Sequence, residues 1–493
     1  MDQWVLSSNF IEPQCFIGPC CLSLVALLGE KVVFPGNQRY SSSISSYHSQ
    51  QQSRLEPLCV VIPSTSEDVS TAVHSLSSIA ESLGDYEHSS CQFAIRSGGQ
   101  ASIPGAASIA GGVTIDLRSL NTIEVSKDKS IVSVGAGALW GDVYSALDPL
   151  GISVAGSRAA QVGVGGSTLG GGISYFSPRY GWTCDTVSNF EVVLANGSIV
   201  NANVDENPDL LFALRGGSNN FGVITRIDFQ TFEQGSIWAG GILSSSDTID
   251  EHLKAFVDLN SAESYDEYAS LITNLGHAGG RKTFILSNII YTKAEENPSV
   301  FEPFMKISAM DEKVRITSIA EMAVEQGSYS KNGRRQLFVT ITHKSTVPML
   351  NAVYLNWNKS IETIKGVRGI VWAISLEPLP PAIYARSATS HAFGLSDRSD
   401  ALVIAILTVF WRNEEDDLKV EMAARELFQA IEDDAKRLGA YDPFIYPNYA
   451  ASWQDPIASY GDERLRKLQR VRMDVDPKGV FSRQVPGGFK IPF

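Results

Sequence analysis

The chain has 493 residues, of which 44% are hydrophobic and 19% charged, and this composition is typical of a soluble globular protein with two closely joined domains. Its formal net charge is −14, and an acidic surface of that size repels phosphate backbones, which disfavours nucleic acid as a partner. The six cysteines include no matched C-x-x-C pairs, so we expect no metal site of the zinc type.

An apolar stretch near the N-terminus, from Cys15 to Leu28, bears on localisation. It follows Asp2 and Glu12, and it lacks the basic start of a secretory signal. It is shorter than the roughly 20 apolar residues that a membrane span needs. We therefore expect a short amphipathic helix from Cys20 onwards, no membrane span and a cytoplasmic location, with secretion left open.

The next part of the chain alternates short apolar strands with helical patterns. After a Ser/Gln-rich connector at residues 40–54, a strand ends at Pro63, and a capped helix follows from Ser66 to Leu83. A strand at residues 93–96 runs into a glycine-rich turn. Further short strands are predicted at 113–117, 131–134, 191–194 and 223–227, with helices at 140–147 and 209–214. These features predict an α+β region of about 230 residues.

The character changes between residues 235 and 439. Alternating segments at 336–342 and 401–410 predict longer sheet strands, and helical stretches occur at 351–365 and 416–438. The region is expected to be a sheet with helices covering one face.

Two glycine-rich segments dominate the sequence. The first is Arg96-Ser-Gly-Gly-Gln100, and the second runs from Val162 to Ile173 with six glycines in twelve residues. Glycines remove side chains from a surface, so backbone N–H groups approach a ligand closely. Such segments usually bind an anionic diphosphate.

A simple dinucleotide-binding βαβ unit is the obvious competitor. Its G-x-G-x-x-G signature is incomplete here, because Gly163, Gly165 and Thr168 occupy the three positions. No Gly-Lys-Ser/Thr follows either segment, which disfavours a nucleotide triphosphatase.

Six blocks in the right order resemble the berberine-bridge-enzyme-like branch of the vanillyl-alcohol-oxidase family, in its fungal type. The resemblance extends from about residue 55 to 485. The blocks lie at residues 93–100, 135–141, 162–175, 180–197, 215–224 and 446–481. The last includes Tyr446-Pro-Asn-Tyr449 and Asp476-Pro-Lys-Gly-Val-Phe481.

The resemblance implies an α+β fold with a two-part FAD-binding domain and a middle substrate domain, whose large antiparallel sheet is covered by helices. The implied divisions are an N-terminal segment (1–54), the FAD-binding domain (55–234), the substrate domain (235–439) and a C-terminal segment (440–493) that returns to the first domain. The residues expected to bind FAD are Arg96, Ser97, Gly98, Gly99, Gln100, Ala101, Val162, Gly163, Gly165, Gly166, Thr168, Gly170, Gly171, Gly172, Asp185, Ile224 and Asn448.

Departures from the family pattern predict that FAD is held without a covalent bond. Gln100 stands where relatives place a histidine that bonds to the flavin, and a carboxamide is a poor nucleophile. Ala159, beside Arg158, stands where some relatives carry a second, cysteine tether. We therefore expect non-covalent FAD.

Tyr446 and Tyr449 are the first candidates for the catalytic base, because relatives use tyrosines of this motif, sometimes activated by a carboxylate or glutamine from a middle-domain strand. Ala450 and Ala451 stand where the family continues with an acidic residue. His391 is a further candidate for base or substrate anchor, with His343 a weaker one.

The leading hypothesis is an FAD-dependent oxidase or dehydrogenase that removes a hydride from a small secondary metabolite and passes the electrons to O₂ or another acceptor. The resemblance includes oxidative cyclisation of the substrate among the expected outcomes. The alternative is a cyclase or pericyclase that retains FAD structurally. A third hypothesis, a carbohydrate oxidase, predicts a groove rich in aromatic and acidic residues and a doubly tethered flavin; the sequence gives no sign of either.

Overall fold

A computed structural model describes residues 18–82, 91–261, 263–279, 283–386 and 389–492. It is an α+β protein with several antiparallel sheets, as the sequence predicts. Cys15, where the apolar stretch begins, and Leu83, the expected end of the helix, both lie outside the described ranges.

Eleven strands of the N-terminal region form three small sheets. A four-stranded sheet has the order β1-β2-β4-β3, a five-stranded sheet has the order β5-β6-β10-β8-β9, and β7 pairs with β11. The strands are β1 (Val32–Val33), β2 (Cys59–Val61), β3 (Phe93–Arg96), β4 (Val113–Asp116), β5 (Ile123–Val125), β6 (Ile131–Gly135), β7 (Ile152–Ser153), β8 (Val187–Val193), β9 (Ile199–Ala202), β10 (Val223–Gln230) and β11 (Phe232–Glu233).

Eight helices accompany these strands in the described N-terminal region. They are α1 (Pro19–Leu28), α2 (Gln38–Ser45), α3 (Gln50–Ser53), α4 (Ser66–Ser82), α5 (Trp140–Leu147), α6 (Val164–Leu169), α7 (Ser177–Tyr180) and α8 (Pro208–Leu214). Strands β2, β4 and β3 pair in parallel and are largely buried, which explains why they are short and mostly apolar. The charged residues at the ends of β3 and β4, Arg96 and Asp116, lie 3.9 Å apart.

The middle region contains one nine-stranded antiparallel sheet. Its order is β15-β12-β14-β13-β18-β19-β17-β20, with β16 paired to β12. The strands are β12 (Ile237–Ser245), β13 (Ala269–Ala278), β14 (Phe284–Tyr291), β15 (Asp311–Glu312), β16 (Arg315–Thr317), β17 (Arg335–Lys344), β18 (Val371–Leu379), β19 (Leu402–Trp411) and β20 (Tyr441–Asp442). The helices are α9 (Ile249–Asn260), α10 (Glu302–Met305), α11 (Ile319–Ser328), α12 (Val347–Ser360), α13 (Pro381–Tyr384) and α14 (Asp417–Arg437).

Both faces of this sheet are covered, and β19 shows how. Val403, Ala405 and Leu407 pack in a core with residues of the long helices α12 and α14. Leu402 and Ile404, on the opposite face, pack in the core of the N-terminal region. A strand covered on both faces has no polar side to its pattern, which explains why β19 is almost uninterruptedly apolar.

The C-terminal helices α15 (Asp462–Val475) and α16 (Val480–Arg483) return to the N-terminal region. Leu468 and Phe481 lie in its core, and the N–H of Phe93 donates to the carbonyl of Gln484 at 2.7 Å. The last block of the sequence thereby supports strand β3, which leads into the first glycine segment.

The Ser/Gln-rich stretch at residues 40–54 differs from the expected connector, because α2 and α3 cover most of it. Its polar side chains act as helix caps; Ser49, for example, accepts from the N–H of Gln52. They also tie the N-terminal segment to the middle sheet, where Gln336 donates to the carbonyl of His48 at 2.8 Å and its own carbonyl accepts from Gln51 at 2.9 Å.

Two disulfide bonds fasten α1 to the first sheet. Cys20 pairs with Cys91 and Cys21 with Cys59, closing loops of 71 and 38 residues. Cys184 is a free, buried thiol. No helix in the described ranges is both long enough and apolar enough to cross a bilayer.

Breaking the Cys21–Cys59 disulfide should lower the free energy of unfolding without changing the fold. A cross-link across a loop of this size reduces the conformational entropy of the unfolded chain and thereby stabilises the folded state by about 3–4 kcal/mol. We expect Cys21→Ala to lower the midpoint of thermal unfolding, measured by circular dichroism. Cys184→Ala is the matched control, because it removes a thiol that forms no disulfide. Equal midpoints for the Cys21 variant and the wild type would contradict the assigned bond.

Candidate functional site

The first glycine segment leaves four consecutive backbone N–H groups unused. Strand β3 ends at Arg96, and the chain then turns through Gly98, Gly99, Gln100 and Ala101. Their N–H groups make no hydrogen bond to any described residue. Because buried or half-buried N–H groups are normally paired, such a row is suited to the oxygens of an anionic ligand.

The second glycine segment touches the first, backbone to backbone. A methyl group added to Gly98 would lie 2.5 Å from the nitrogen of Gly163, and one added to Gly163 would lie 2.3 Å from the nitrogen of Gly98. Both positions therefore exclude any side chain. Helix α6 begins immediately afterwards, so the N-terminal end of a short helix lies beside the unused N–H groups.

Gly166 is the member of this pair of segments that faces open space. It is exposed, and a methyl group built on it meets no atom within 4 Å. By contrast, a methyl group built on Gly165 would lie 2.9 Å from the carbonyl oxygen of Ala136. The two segments thus form a cradle with bare backbone on its open side. Its unpaired N–H groups fit the diphosphate of FAD.

Arg96 lies beneath the cradle rather than on its surface. Its guanidinium is 1% exposed, donates to the carbonyl of Ser43, lies 3.9 Å from the carboxylate of Asp116 and stacks on the ring of Tyr47 at 3.8 Å. Gly99 has a φ of +72° and packs against Tyr47 and Arg96. Arg96 therefore shapes the turn from below.

The glycines at the end of the second segment contact protein atoms. A methyl group on Gly170 would meet Asn448 at 2.0 Å, one on Gly171 would meet Phe393 at 2.4 Å, and one on Gly172 would meet Thr183 at 2.4 Å. These three glycines bring the C-terminal turn, a middle-region loop and the 183–186 turn close to the cradle.

Several of the other residues expected to bind FAD are buried or hydrogen-bonded to the protein. Ser97 donates to the carbonyl of Ala136 at 2.6 Å, and Thr168 donates to that of Val164 at 2.7 Å. Val162 is half-buried, and Ile224 is buried in β10. Asp185 accepts from the N–H of Trp182 at 2.9 Å, and burial raises the pKa of its carboxyl to about 7.

The motif Tyr446-Pro-Asn-Tyr449 forms a short turn against the second glycine segment. Asn448 donates to the carbonyl of Ser167 at 2.9 Å and to the hydroxyl of Tyr446 at 3.0 Å. Tyr446 is buried and stacks on Trp182, with ring centroids 5.4 Å apart. Burial raises the pKa of the Tyr446 phenol well above its usual value.

Tyr449 joins a buried charged cluster with Arg158 and Glu377. Arg158 Nη2 donates to Glu377 Oε1 at 2.7 Å and to Tyr449 Oη at 2.6 Å, and Tyr449 Oη lies 3.3 Å from both carboxylate oxygens of Glu377. Burial, opposed by the Arg158 charge and reinforced by Glu377, raises the pKa of the Tyr449 phenol. Despite desolvation, Glu377 and Tyr449 raise the pKa of Arg158.

Sequence reasoning did not identify Glu377, and it noted Arg158 only as the neighbour of Ala159. The available signal was a single acidic residue in strand β18, whose other residues are apolar except for Ser375. Trp372, Ile374 and Leu376 pack on the helical side of the sheet, so Glu377 faces the N-terminal region. Which of the 54 acidic residues would meet Tyr449 depended on the sheet register.

His391 lies among aromatic rings, not in this cluster. It is fully buried, with its ring centroid 4.9 Å from Phe393 and 6.5 Å from Trp182. Burial, with Arg464 and Arg215 nearby, lowers the pKa of its imidazole to about 3. His343 is also buried and has a lowered pKa of about 4, for the same reason of burial.

Half-exposed side chains continue along the sheet face from Glu377. Ser375 faces the same way two residues earlier on β18 and donates to Asn274 of β13 at 2.6 Å. Ala373 and Thr408 are also half-exposed on this face. The surface beside the charged cluster therefore mixes small, apolar and hydroxyl groups.

A separate cavity of about 910 Å³ lies where β7 and β11 meet the start of β12. Its lining includes Arg179, Phe232, Gln234, Tyr268 and Lys293. None of the site residues expected from the sequence lines it.

Comparisons with known proteins agree with this geometry. A family model described as an FAD binding domain matches residues 57–203. The FAD-dependent monooxygenase CTB5 of Cercospora beticola is 36% identical over 96% of this chain and 92% of its own length. The bifunctional solanapyrone synthase of Alternaria solani is 30% identical over 99% of this chain and 93% of its own length.

A longer protein named oligopeptidase PhomG' of Diaporthe leptostromiformis is 43% identical over 95% of this chain, which spans 37% of that protein. Among solved structures, a glucooligosaccharide oxidase of Acremonium strictum has a TM-score of 0.78 at 18% identity, covering 97% of this chain and 98% of its own. At that identity the likeness concerns the fold. The chain belongs to the family of fungal FAD-linked oxidoreductases that these curated relatives represent.

Proposed function

We propose that the protein oxidises a small organic molecule, with FAD held non-covalently in the glycine cradle and the Arg158–Glu377–Tyr449 cluster receiving the substrate proton. The observation that carries this proposal is the cluster itself. A carboxylate, a phenol and a guanidinium lie within hydrogen-bonding distance of one another, and Asn448 of the same turn is bonded to the second glycine segment.

FAD, when bound, supplies the acceptor for the substrate hydride. The raised pKa of Tyr449 keeps its phenol protonated at neutral pH, so it donates a hydrogen bond or relays a proton. Glu377 is the group that takes up the proton, and Arg158 holds its carboxylate against Tyr449. In this proposal Glu377 is the activating carboxylate from a middle-domain strand that the resemblance implies for the tyrosine motif.

The substrate class rests on the relatives and on the lining of the sheet face. Solanapyrone synthase is named for making a small organic product. The half-exposed Ser375, Ala373 and Thr408 offer a surface with few charges beyond the cluster. We infer a largely apolar secondary metabolite with an oxidisable alcohol, amine or activated C–H bond, and O₂ or another acceptor to reoxidise the flavin.

The buried His391 has little basicity in this setting, since a pKa of about 3 keeps it neutral throughout the physiological range. Its two aromatic neighbours support a packing role. We therefore infer that titration of His391 causes no change in the rate of flavin reduction between pH 5 and 8.

Denaturation should release all of the flavin from the purified protein. Neither Gln100 nor Ala159 carries a nucleophile able to bond to the isoalloxazine. The measurement is acid precipitation followed by absorbance of the supernatant and in-gel flavin fluorescence. A fluorescent protein band after denaturing electrophoresis would rule out non-covalent binding.

Gly166→Val should abolish FAD binding while leaving the protein folded. The β-carbon of the new side chain enters open space at the cradle, with no atom outside its own helix within 4 Å. Gly235→Val is the matched control, since Gly235 is also exposed with open space around it. The readouts are flavin content and thermal stability, which should fall only through loss of the ligand. Gly171→Val is unsuitable because it clashes with Phe393 and requires a φ of +97°. Full flavin content in Gly166→Val would refute the cradle.

Tyr449→Phe should leave FAD bound and slow anaerobic flavin reduction by roughly 10²–10⁴, the usual contribution of a positioned acid or base. Tyr446→Phe is the comparison, because Tyr446 is hydrogen-bonded to Asn448 and not to the charged cluster. Stopped-flow absorbance of the oxidised flavin, with the authentic substrate, measures both. Equal rates for Tyr449→Phe and wild type would remove Tyr449 from the chemistry.

Conversion of substrate by the wild type under anaerobic conditions, with no added electron acceptor and no bleaching of the flavin, would establish the cyclase alternative. Product mass makes a further distinction: oxidation removes two hydrogens, whereas the oxygen insertion implied by the name of CTB5 adds an oxygen atom and needs an added reductant.

A further inference from the structure

The turn between β8 and β9 carries one of the two N-x-S/T sequons of the chain, Asn196-Gly-Ser198. Asn196 is exposed. Its Oδ1 accepts from the N–H of Ser198 at 2.9 Å and from the hydroxyl of Ser198 at 2.7 Å. The acceptor asparagine and the hydroxyl residue of the sequon are therefore already in contact on the surface.

The backbone of this turn is held in place from below by helix α4. His74 Nδ1 lies 3.1 Å from the carbonyl of Asn196, and Ser77 donates to the carbonyl of Ala195 at 3.1 Å. Gly197 has a φ of +86°, which suits the tight turn between the two strands. The amide Nδ2 of Asn196 makes no hydrogen bond to any described residue.

The second sequon, Asn358-Lys-Ser360, lies in a different setting, within helix α12. Its Ser360 is buried, donates to the carbonyl of Trp357 at 2.7 Å and accepts from the indole N–H of Trp372 at 2.9 Å. The hydroxyl cannot turn back to its asparagine without breaking both bonds and unwinding the helix.

Two disulfides bear on the compartment in which either sequon would be modified. Disulfides form and persist in oxidising compartments and are rare in the cytosol. This favours maturation in the secretory pathway over the cytoplasmic location expected from the sequence. Sequons in surface turns are modified in that pathway.

We propose that Asn196 is the site of an N-linked oligosaccharide and that Asn358 is not modified. The amide nitrogen of Asn196 loses a proton and bonds to the anomeric carbon of the first sugar. The bond between that carbon and the lipid diphosphate of the oligosaccharide donor breaks, and the lipid diphosphate leaves. The glycan lies beside β9, the edge strand of the five-stranded sheet, where Ile199 is 38% exposed. A bulky hydrophilic group there shields an unpaired strand edge from association with other chains.

The test uses the full chain directed into the secretory pathway of a yeast, with peptide-N-glycosidase F as the probe. We expect one glycan per chain, and conversion of Asn196 to aspartate on enzymatic release, detected by peptide mass spectrometry. Asn196→Gln and Ser198→Ala should each remove the glycan entirely. Ser198→Thr, which retains the hydroxyl, and Asn358→Gln should both retain it.

Flavin content and thermal stability of Asn196→Gln separate loss of the glycan from misfolding, because the turn lies outside the cradle and the charged cluster. An unmodified wild-type chain would overturn the proposal. So would a glycan on Asn358, alone or together with one on Asn196, since the buried hydroxyl of Ser360 is the reason for excluding it.

Discussion

The buried ion pair between Arg158 and Glu377 is the constraint on which the arrangement of the site depends. Removing two charges from water costs several kcal/mol per ion, and this cost is offset only when the geometry is good and the remaining groups are hydrogen-bonded. Tyr449 completes that requirement by contacting both partners. Losing one partner of such a pair typically costs about 3–5 kcal/mol.

The three residues come from three parts of the chain, so their pairing fixes how those parts meet. Arg158 precedes the second glycine segment, Glu377 lies on β18 of the middle sheet, and Tyr449 belongs to the C-terminal turn. The same turn is bonded to Ser167 through Asn448. The charged cluster and the glycine cradle are thus positioned by a single set of contacts. A displacement of any one of the three segments would break the cluster.

Close backbone contact is the second organising feature, and it explains the density of glycine. Gly98 and Gly163 bring the backbones of the two segments into direct contact, which no larger residue at either position would allow. The last three glycines of the second segment, residues 170–172, have a different effect. Because they lack side chains, they leave room for Asn448, Phe393 and Thr183 to pack against the backbone beside the site. One glycine-rich run therefore exposes bare backbone at Gly166, near its start, and packs against protein at its end.

The sequence by itself determined the α+β class, a sheet with helices on one face and the two glycine-rich segments, because these depend on local periodicity and composition. The antiparallel arrangement of the sheet and the family were implied by six blocks that resemble known relatives. The sequence also located Tyr449 and the absence of a nucleophile at Gln100 and Ala159. Tertiary structure alone decided that Arg96 lies beneath the cradle, that Glu377 meets Tyr449, and that His391 is enclosed by aromatic rings. Each of these depends on contacts between residues far apart in the chain, and strand register and burial, which no local pattern encodes, set those contacts.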